Sequence, residues 1–330
     1  MNAKYKVSVI VPIYNVEKFI TRCVETLMEQ TLPEVEFIFV NDATPDNSWD
    51  ILNDVLKKYP ARCSDVILLE HDVNKGLPAA RNTGLSIAHG EYIFHCDSDD
   101  FVEHDMLECL YNKAIEENAD IFWCDWFLSF EKSERYMKQP CLTSAMDALK
   151  AMLGGGMKYN VWNKLVRRSL YVENNISFPA GHGMGEDMTM MLLFVYASNV
   201  IYLSKAFYHY VKTNSGAYTQ NHSKRNLEDL KYNVERIEKF LYQLYGTSLD
   251  KEIAFLKLDV KFPFLIMGTS TQQYKEWTNL YPEANKYICQ NNYISLRSRV
   301  LEWFAWKKQW WIVRLYYWVV IKFVYGVIYK

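Results

Sequence analysis

Tyr92-Ile93-Phe94-His95-Cys96 runs straight into Asp97-Ser98-Asp99-Asp100, and the reading of this junction decides the fold. The first five residues read as a short apolar strand, and the acidic run leaves its carboxyl end. Side chains at i and i+2 of an extended segment share a face, so the spacing points Asp97 and Asp99 the same way. Oxygen-only ligands of this kind suit a hard divalent cation, Mg2+ or Mn2+, and such a cation suits a diphosphate. Taken alone, the run reads better as an acidic loop whose last Asp caps the next helix. Three upstream segments at matching positions favour the first reading.

Those segments end earlier strands of the same kind. Residues 7–11, 36–40 and 66–69 are short runs rich in Val, Ile and Phe, as expected of a sheet covered on both faces. Between them lie helical patterns. Phe19, Ile20, Cys23, Val24, Leu27 and Met28 fall on one helix face, and Trp49, Ile51, Leu52, Val55 and Leu56 give residues 48–59 an apolar side. Alternation of this sort implies an α/β fold with a mostly parallel sheet and right-handed crossovers. Ligands of such sheets gather at the carboxyl ends of the strands, where Asn15, Asp42 and Asp97 fall. Past residue 120 the alternation fades. Residues 121–130 read as a further strand, 144–153 as a helix, 192–210 as a helix then a strand, and 226 to about 280 as helical. This divides the chain into residues 1–120, 121–220 as the other half of the same domain, and a helical region over 221–330.

The chain has 330 residues, 50% hydrophobic and 15% aromatic, enough to build a real core. Its net charge of −2 gives no reason to expect nucleic acid. The 7 cysteines form no C-x-x-C pair, which argues against a disulfide framework or a zinc site and fits a reducing cytosol. Residues 1–6 lead into a strand with no hydrophobic signal core, so export is not expected.

The strand ends carry distinct polar clusters. Pro12-Ile13-Tyr14-Asn15 lacks the glycines of a dinucleotide-binding turn. Val40-Asn41-Asp42-Ala43-Thr44-Pro45-Asp46-Asn47-Ser48 places Asp42 at a strand tip, where it would accept from a base N–H, and Ser48 where it would cap a helix. Asn74-Lys75-Gly76-Leu77-Pro78-Ala79-Ala80-Arg81-Asn82-Thr83-Gly84 offers a tight backbone position at Gly76 and a helix-borne Arg81 for a phosphate or base carbonyl.

Taken in order, these motifs and Asp97–Asp100 resemble the inverting family-2 glycosyltransferases of the GT-A fold, of the type that builds bacterial surface polysaccharide. The resemblance is dense over residues 1–120 and looser to about 220. It implies that Pro12, Tyr14, Asn15, Asp42, Lys75, Arg81, Asp97 and Ser98 surround a nucleotide-sugar, with a uracil base against Asp42. It implies a Mg2+ or Mn2+ ion on Asp99, with Asp97 as the second ligand. The family usually carries Asp where Asn41 stands and Gly-Ser where Ala43-Thr44 stand, a departure that leaves Asp42 in place.

Sugar transfer to a hydroxyl also needs a carboxylate base. Glu186-Asp187 follows the glycine-rich 181–185 segment, expected to be a mobile lid, and lies downstream of Val161-Trp162-Asn163-Lys164-Leu165. By the resemblance Asp187 is the base and Glu186 supports it; the pair would also favour the N-terminus of the helix beginning there. His209, in Tyr208-His209-Tyr210, is read as structural on a strand with two tyrosines on one face. A contact of His209 or His182 with cation or diphosphate stays open, as does the family's basic residue after Tyr-x-Tyr, replaced here by Val211 with Lys212 following.

The tail from about 297 to 330 is aromatic and basic, with Lys or Arg at 297, 299, 307, 308, 314, 322 and 330 against Glu302. Such a segment fits a helix lying on an anionic membrane surface; packing against the helical region or a second subunit is the alternative. The expectation is an inverting transfer from a nucleotide-sugar, a UDP-sugar by the resemblance, to a glycan or lipid-linked glycan hydroxyl at the inner face of the cell membrane. Transfer to a polyprenyl phosphate, nucleotidyl transfer and a non-catalytic sugar-nucleotide-binding protein are the rivals. Donor sugar, linkage and oligomeric state stay open.

Overall fold

The computed structural model describes residues 4–214 and 224–328. Nine strands make one mixed sheet: β1 (Val7–Ile13), β2 (Val35–Asn41), β3 (Val66–Glu70), β4 (Tyr92–His95), β5 (Phe101–Val102), β6 (Ile121–Ser129), β7 (Glu134–Met137), β8 (Lys164–Arg167) and β9 (Val200–Val211). Their order is β3-β2-β1-β4-β8-β6-β9-β5, with β7 on β6. Strands β3, β2, β1 and β4 run parallel, as the alternation predicts, while β8 joins β4 and β6 antiparallel and β9 returns parallel to β6. The expected strands are recovered to within a residue or two at each end. β1 and β2 are buried along their whole length, which is why their sequences are continuous apolar runs.

The helices are α1 (Ile20–Met28), α2 (Ser48–Leu56), α3 (Leu77–Ile87), α4 (Met106–Glu116), α5 (Ala145–Leu153), α6 (Arg168–Glu173), α7 (Thr189–Tyr196), α8 (Lys224–Tyr245), α9 (Asp250–Met267), α10 (Thr271–Asn279), α11 (Leu296–Trp306) and α12 (Trp310–Tyr316). α1 buries Ile20, Cys23, Val24, Leu27 and Met28, five of the six residues read as its apolar face. Asn47 rather than Ser48 occupies the N-cap of α2; Ser48 starts the helix, and its hydroxyl accepts from Val16 N at 3.0 Å. α3 lies so close to β1 that a Cβ on Gly84 would stand 2.5 Å from Ile10 Cγ2.

The chain forms two compact units. One comprises Met1–Ala148 with Tyr159–Ile237 and contains the sheet; the other comprises Leu149–Lys158 with Glu238–Lys330. In the second unit Phe255, Leu258, Tyr274, Trp277, Ile288, Leu301 and Val313 form a core. Glu302 projects into this unit at 1% exposure, and neither of its oxygens has a hydrogen-bond partner. Burial raises its carboxyl to about 8, and the Lys261 charge only partly offsets that.

An ordinary Glu ionises near 4.5. Between that pH and about 8 the unfolded chain has lost this proton while the folded chain keeps it, so stability falls as pH rises through the window. The full effect is roughly 3–5 kcal/mol. Glu302→Gln is expected to flatten this slope in urea unfolding measured from pH 5 to pH 8; an unchanged slope would show that Glu302 ionises normally.

Candidate active site

The site begins at the carboxyl end of β2, where Asp42 is 3% exposed. Asp42 Oδ1 accepts from Lys75 N at 2.8 Å and from His71 Nδ1 at 2.7 Å, and Oδ2 accepts from Gly76 N at 2.8 Å. The opposite nitrogen of His71 meets Thr83 Oγ1 at 2.8 Å. The strand-tip carboxylate is thereby tied to the loop before α3, and Gly76 permits the turn with φ +88°. Lys75 contributes its backbone N–H here, while its side chain is exposed. Asn41 closes the β2 turn through its Oδ1, which accepts from Thr44 N at 2.9 Å, and Thr44 Oγ1 accepts from Asn15 N at 2.8 Å. Ala43 sits at φ 52°, a left-handed conformation that explains the family's glycine at this position. Pro12 is buried within β1, and Tyr14 and Asn15 are exposed beyond its tip.

β4 stops at His95, so Asp97 and Asp99 lie on a turn, closed by Asp100 N donating to Asp97 O at 3.1 Å, and not on the strand whose alternation suggested their shared face. The three carboxylates part company there. Asp100 is buried as an anchor: its Oδ2 accepts from Tyr208 OH at 2.7 Å and its Oδ1 from Val211 N at 2.7 Å. Asp99 Oδ2 accepts from Asn214 Nδ2 at 2.8 Å. Burial and then the negative charge of Asp97 push the Asp99 carboxyl up to about 6. Ser98 is buried between them in sequence.

Arg81 links this turn to the acidic pair. Its guanidinium is 1% exposed; Nη2 meets Asp97 Oδ1 at 2.9 Å, and Nη1 meets Asp187 Oδ1 at 2.5 Å and Glu186 Oε1 at 3.3 Å. Burial works against the charge of Arg81, and Asp187, Asp97 and Glu186 more than restore it. Glu186 and Asp187 occupy a short 3₁₀ turn ahead of α7, after Gly185 at φ 87°. Burial raises both carboxyls above their ordinary range, and Arg81 pulls both back. Lys164 is buried close enough for its charge to favour ionised Asp187; its Nζ donates to Asn160 O at 2.7 Å and to Asn163 Oδ1 at 2.8 Å. Burial lowers Lys164 to about 7.

The glycine-rich segment is not the loose lid that its composition suggests. Asp229 of α8 accepts from His182 Nδ1 at 3.2 Å and from Gly183 N at 3.1 Å, and Asn233 Nδ2 donates to Met184 O at 3.0 Å. The His182 ring stacks on Tyr232 with centroids 3.6 Å apart. These side chains belong to a helix more than 40 residues downstream, which local composition does not register. Tyr208 and Tyr210 share a face, both stacked on Trp162, and Tyr208 OH also accepts from Asp97 N at 3.0 Å. His209 faces the other way, between Phe101 and Phe127, with Nδ1 2.7 Å from Glu134 and Nε2 2.9 Å from Glu103, a structural placement. Lys212 lies exposed near Asp100 and Asp99, whose charges partly offset its desolvation. His71, Thr83 and Asn214 had no reading in the sequence; the His71-to-Asn74 spacing before Gly76 is the one local signal that a polar side chain returns to Asp42.

Asp97 and Asp99 fit a divalent cation in their chemistry. Both are hard oxygen donors, and burial first and the negative charge of Asp97 second raise the Asp99 carboxyl, a cost that a bound cation would offset. Among the described residues no cluster of three His, Cys, Asp or Glu forms a complete metal cage. Two carboxylates with the remaining positions left to phosphate and water is the arrangement Mg2+ favours.

Sheet order, strand-end carboxylates and the acidic pair define a nucleotide-sugar-dependent transferase of the GT-A type. Residues 8–186 match Glycosyl transferase family 2, and the chain belongs to that family and is a glycosyltransferase. It is 33% identical over 251 residues to the glycosyltransferase EpsJ of Bacillus subtilis, spanning 73% of this chain and 71% of EpsJ. The structure of S. aureus TarS 1–349 with UDP-GlcNAc superposes with a TM-score of 0.70 at 22% identity, covering 94% of this chain and 91% of that one. The mannosyltransferase PcManGT of Pyrobaculum calidifontis, solved with GDP-Man and Mn2+, gives 0.52 at 14% identity over 96% and 87%. Both share the fold. Among the described residues no helix is long and apolar enough to cross a membrane.

Removing Arg81 leaves three largely buried carboxylates, 12% to 23% exposed, without their shared partner. Arg81→Met is expected to lower unfolding free energy by about 3–5 kcal/mol at pH 7 in chemical denaturation. The deficit is expected to narrow as pH falls and the carboxyls take up protons. A loss below ~1 kcal/mol, typical of exposed pairs, would contradict the buried geometry.

Proposed function

We propose that this glycosyltransferase moves a sugar from a UDP-sugar to a hydroxyl of a glycan or lipid-linked glycan by one inverting displacement, at the inner face of the cell membrane. The observation that carries this reading is the Arg81 bridge, which brings Asp97, beside the diphosphate position, within one guanidinium of Asp187. Asp42, held by His71, Lys75 N and Gly76 N, is the base-recognising carboxylate. TarS, of the same fold, was solved with UDP-GlcNAc, which supports uridine as the nucleoside. Asp99 and Asp97 would hold Mg2+ or Mn2+, and the Mn2+ in PcManGT supports a cation in this fold. When bound, that cation supplies positive charge to the leaving diphosphate.

The chain's own residues supply the rest. Asp187 takes the proton of the acceptor hydroxyl as its oxygen attacks the anomeric carbon and the bond to the diphosphate breaks on the opposite side. Arg81, and Lys164 when charged, favour the ionised form of Asp187 against the burial that raises its carboxyl. Glu186, raised by burial and by the charge of Asp187, supports the base or binds acceptor. Asp229 and Asn233 fix the loop that delivers Asp187.

A thermal-shift panel of UDP, GDP and dTDP, with and without Mn2+, tests the donor site. UDP at a hundred times its dissociation constant is expected to stabilise by about 2.7 kcal/mol in a cation-dependent manner. Asp99→Asn should lose the cation dependence, and Asp187→Asn should retain the shift while transfer falls by 10²-fold or more. Equal silence from all three nucleotides would overturn the donor reading, and normal transfer by Asp187→Asn would remove it as the base.

The acid limb of the pH–rate profile offers a separate check. Loss of a neighbouring cation disfavours ionised Asp187, so Lys164→Met should move the limb to higher pH than in the parent chain. A limb that stays put would place Lys164 outside the electrostatics of the base.

A further inference from the structure

The proposed reaction leaves the aromatic, basic tail without a role. In the second unit, α11 and α12 turn Leu301, Glu302, Ala305 and Val313 inward, all at 4% exposure or less. The opposite sides carry Leu296 at 67%, Trp303 at 37%, Trp311 at 65% and Leu315 at 55%. The following π-helical run, Tyr317–Ile328, adds Trp318 at 58% and Phe323 at 57%. Single exposed apolar side chains are ordinary, but large aromatic and aliphatic groups concentrated along one short stretch mark an interaction surface.

The charges on this stretch have one sign. Arg297, Lys307, Lys308, Arg314 and Lys322 are exposed, and the carboxylate between them in sequence, Glu302, is buried. None of the salt bridges among the described residues reaches these five cations. Several instead lie beside aromatic rings, with Lys307 Nζ 3.9 Å from the Trp306 centroid and Arg297 5.8 Å from that of Tyr316. The net charge of the whole chain is close to neutral at −2, so the basic stretch is a local segregation. Lys330 lies outside the described residues.

We propose that α11, α12 and the π-helical run form a docking surface for a bilayer containing anionic lipid, with the indole rings at headgroup depth and the cations against lipid phosphates. Trp and Tyr favour that depth, and each nearby Lys or Arg adds attraction to anionic lipid. The segment lies in the interface: Arg314 and Lys322 interrupt its apolar residues, and no described helix is long and apolar enough to span. A second copy of the chain is a poor occupant, because a two-fold contact would set five unpaired cations against five more. The proposal rests on the transferase reading only for the membrane-held acceptor it would serve; the surface itself stands on exposure and charge.

The test uses the full chain with vesicles of phosphatidylcholine alone and of phosphatidylcholine mixed with phosphatidylglycerol. Co-sedimentation and quenching of tryptophan fluorescence by bromine-labelled acyl chains are the readouts. Binding with quenching is expected on the mixed vesicles and weak binding on phosphatidylcholine alone. Lys307→Gln with Lys308→Gln should weaken binding by about 30-fold, at roughly a factor of five for each cation. Trp311→Ala with Trp318→Ala should sharply reduce quenching, leaving only what Trp303 contributes, and weaken binding by about tenfold or more. The nucleotide thermal shift of both double variants reports that they fold, and it separates failure of the surface from failure of the donor site. No binding to mixed vesicles, binding indifferent to both double variants, or a dimer by light scattering that both variants dissolve would overturn the proposal.

Discussion

One buried guanidinium holds the catalytic half of this molecule in register. Arg81 reaches from α3 to Asp97 on a turn after β4 and to Glu186 and Asp187 on a turn before α7, and it favours the charged forms of that pair against the burial that raises both. Desolvating a cation is costly, and so is desolvating three anions; each is tolerable here because the other is present. The arrangement fixes the distance between the turn after β4 and the acidic pair before α7 without a continuous element connecting them.

Around that hub the strand ends act as a rigid frame. Asp100 directs both of its oxygens to β9, while the oxygens of Asp42 are oriented by the loop before α3 and keep capacity for the proposed base contact. Asp97 and Asp99 keep a share of theirs for partners of opposite charge. Hydrogen bonds from backbone and side chains thus set how firmly each strand-end aspartate is held. The same logic governs the loop before Asp187, whose carbonyls and N–H groups are satisfied by Asn233 and Asp229 and which is therefore ordered despite its glycines.

The local patterns carried most of the frame. Continuous apolar runs at β1, β2 and β4 marked strands covered on both faces, and Cys23, Val24 and Leu27 marked the buried face of α1. The alternation of Tyr208, His209 and Tyr210 was enough to separate the tyrosine face from the histidine face. Where alternation was extended past the end of β4 it failed, because Asp97–Asp100 is a turn and its side-chain directions follow turn geometry. Residues 181–185 misled for another reason: composition reports what a segment could do alone, whereas Asp229, Tyr232 and Asn233 act on it from α8.

What the sequence by itself determined was therefore everything written within a strand, a helix turn or a motif: the α/β alternation, the family's four motifs and the basic aromatic character of the tail. Tertiary structure alone decided which charges meet. Arg81 and Asp187 are 106 residues apart, and Asp99 and Asn214 are 115 apart. It also decided that Glu302 points inward while Trp303, the next residue, points out. Such pairings arise from the packing of whole elements, and no periodicity within a segment encodes the identity of a partner that lies on another.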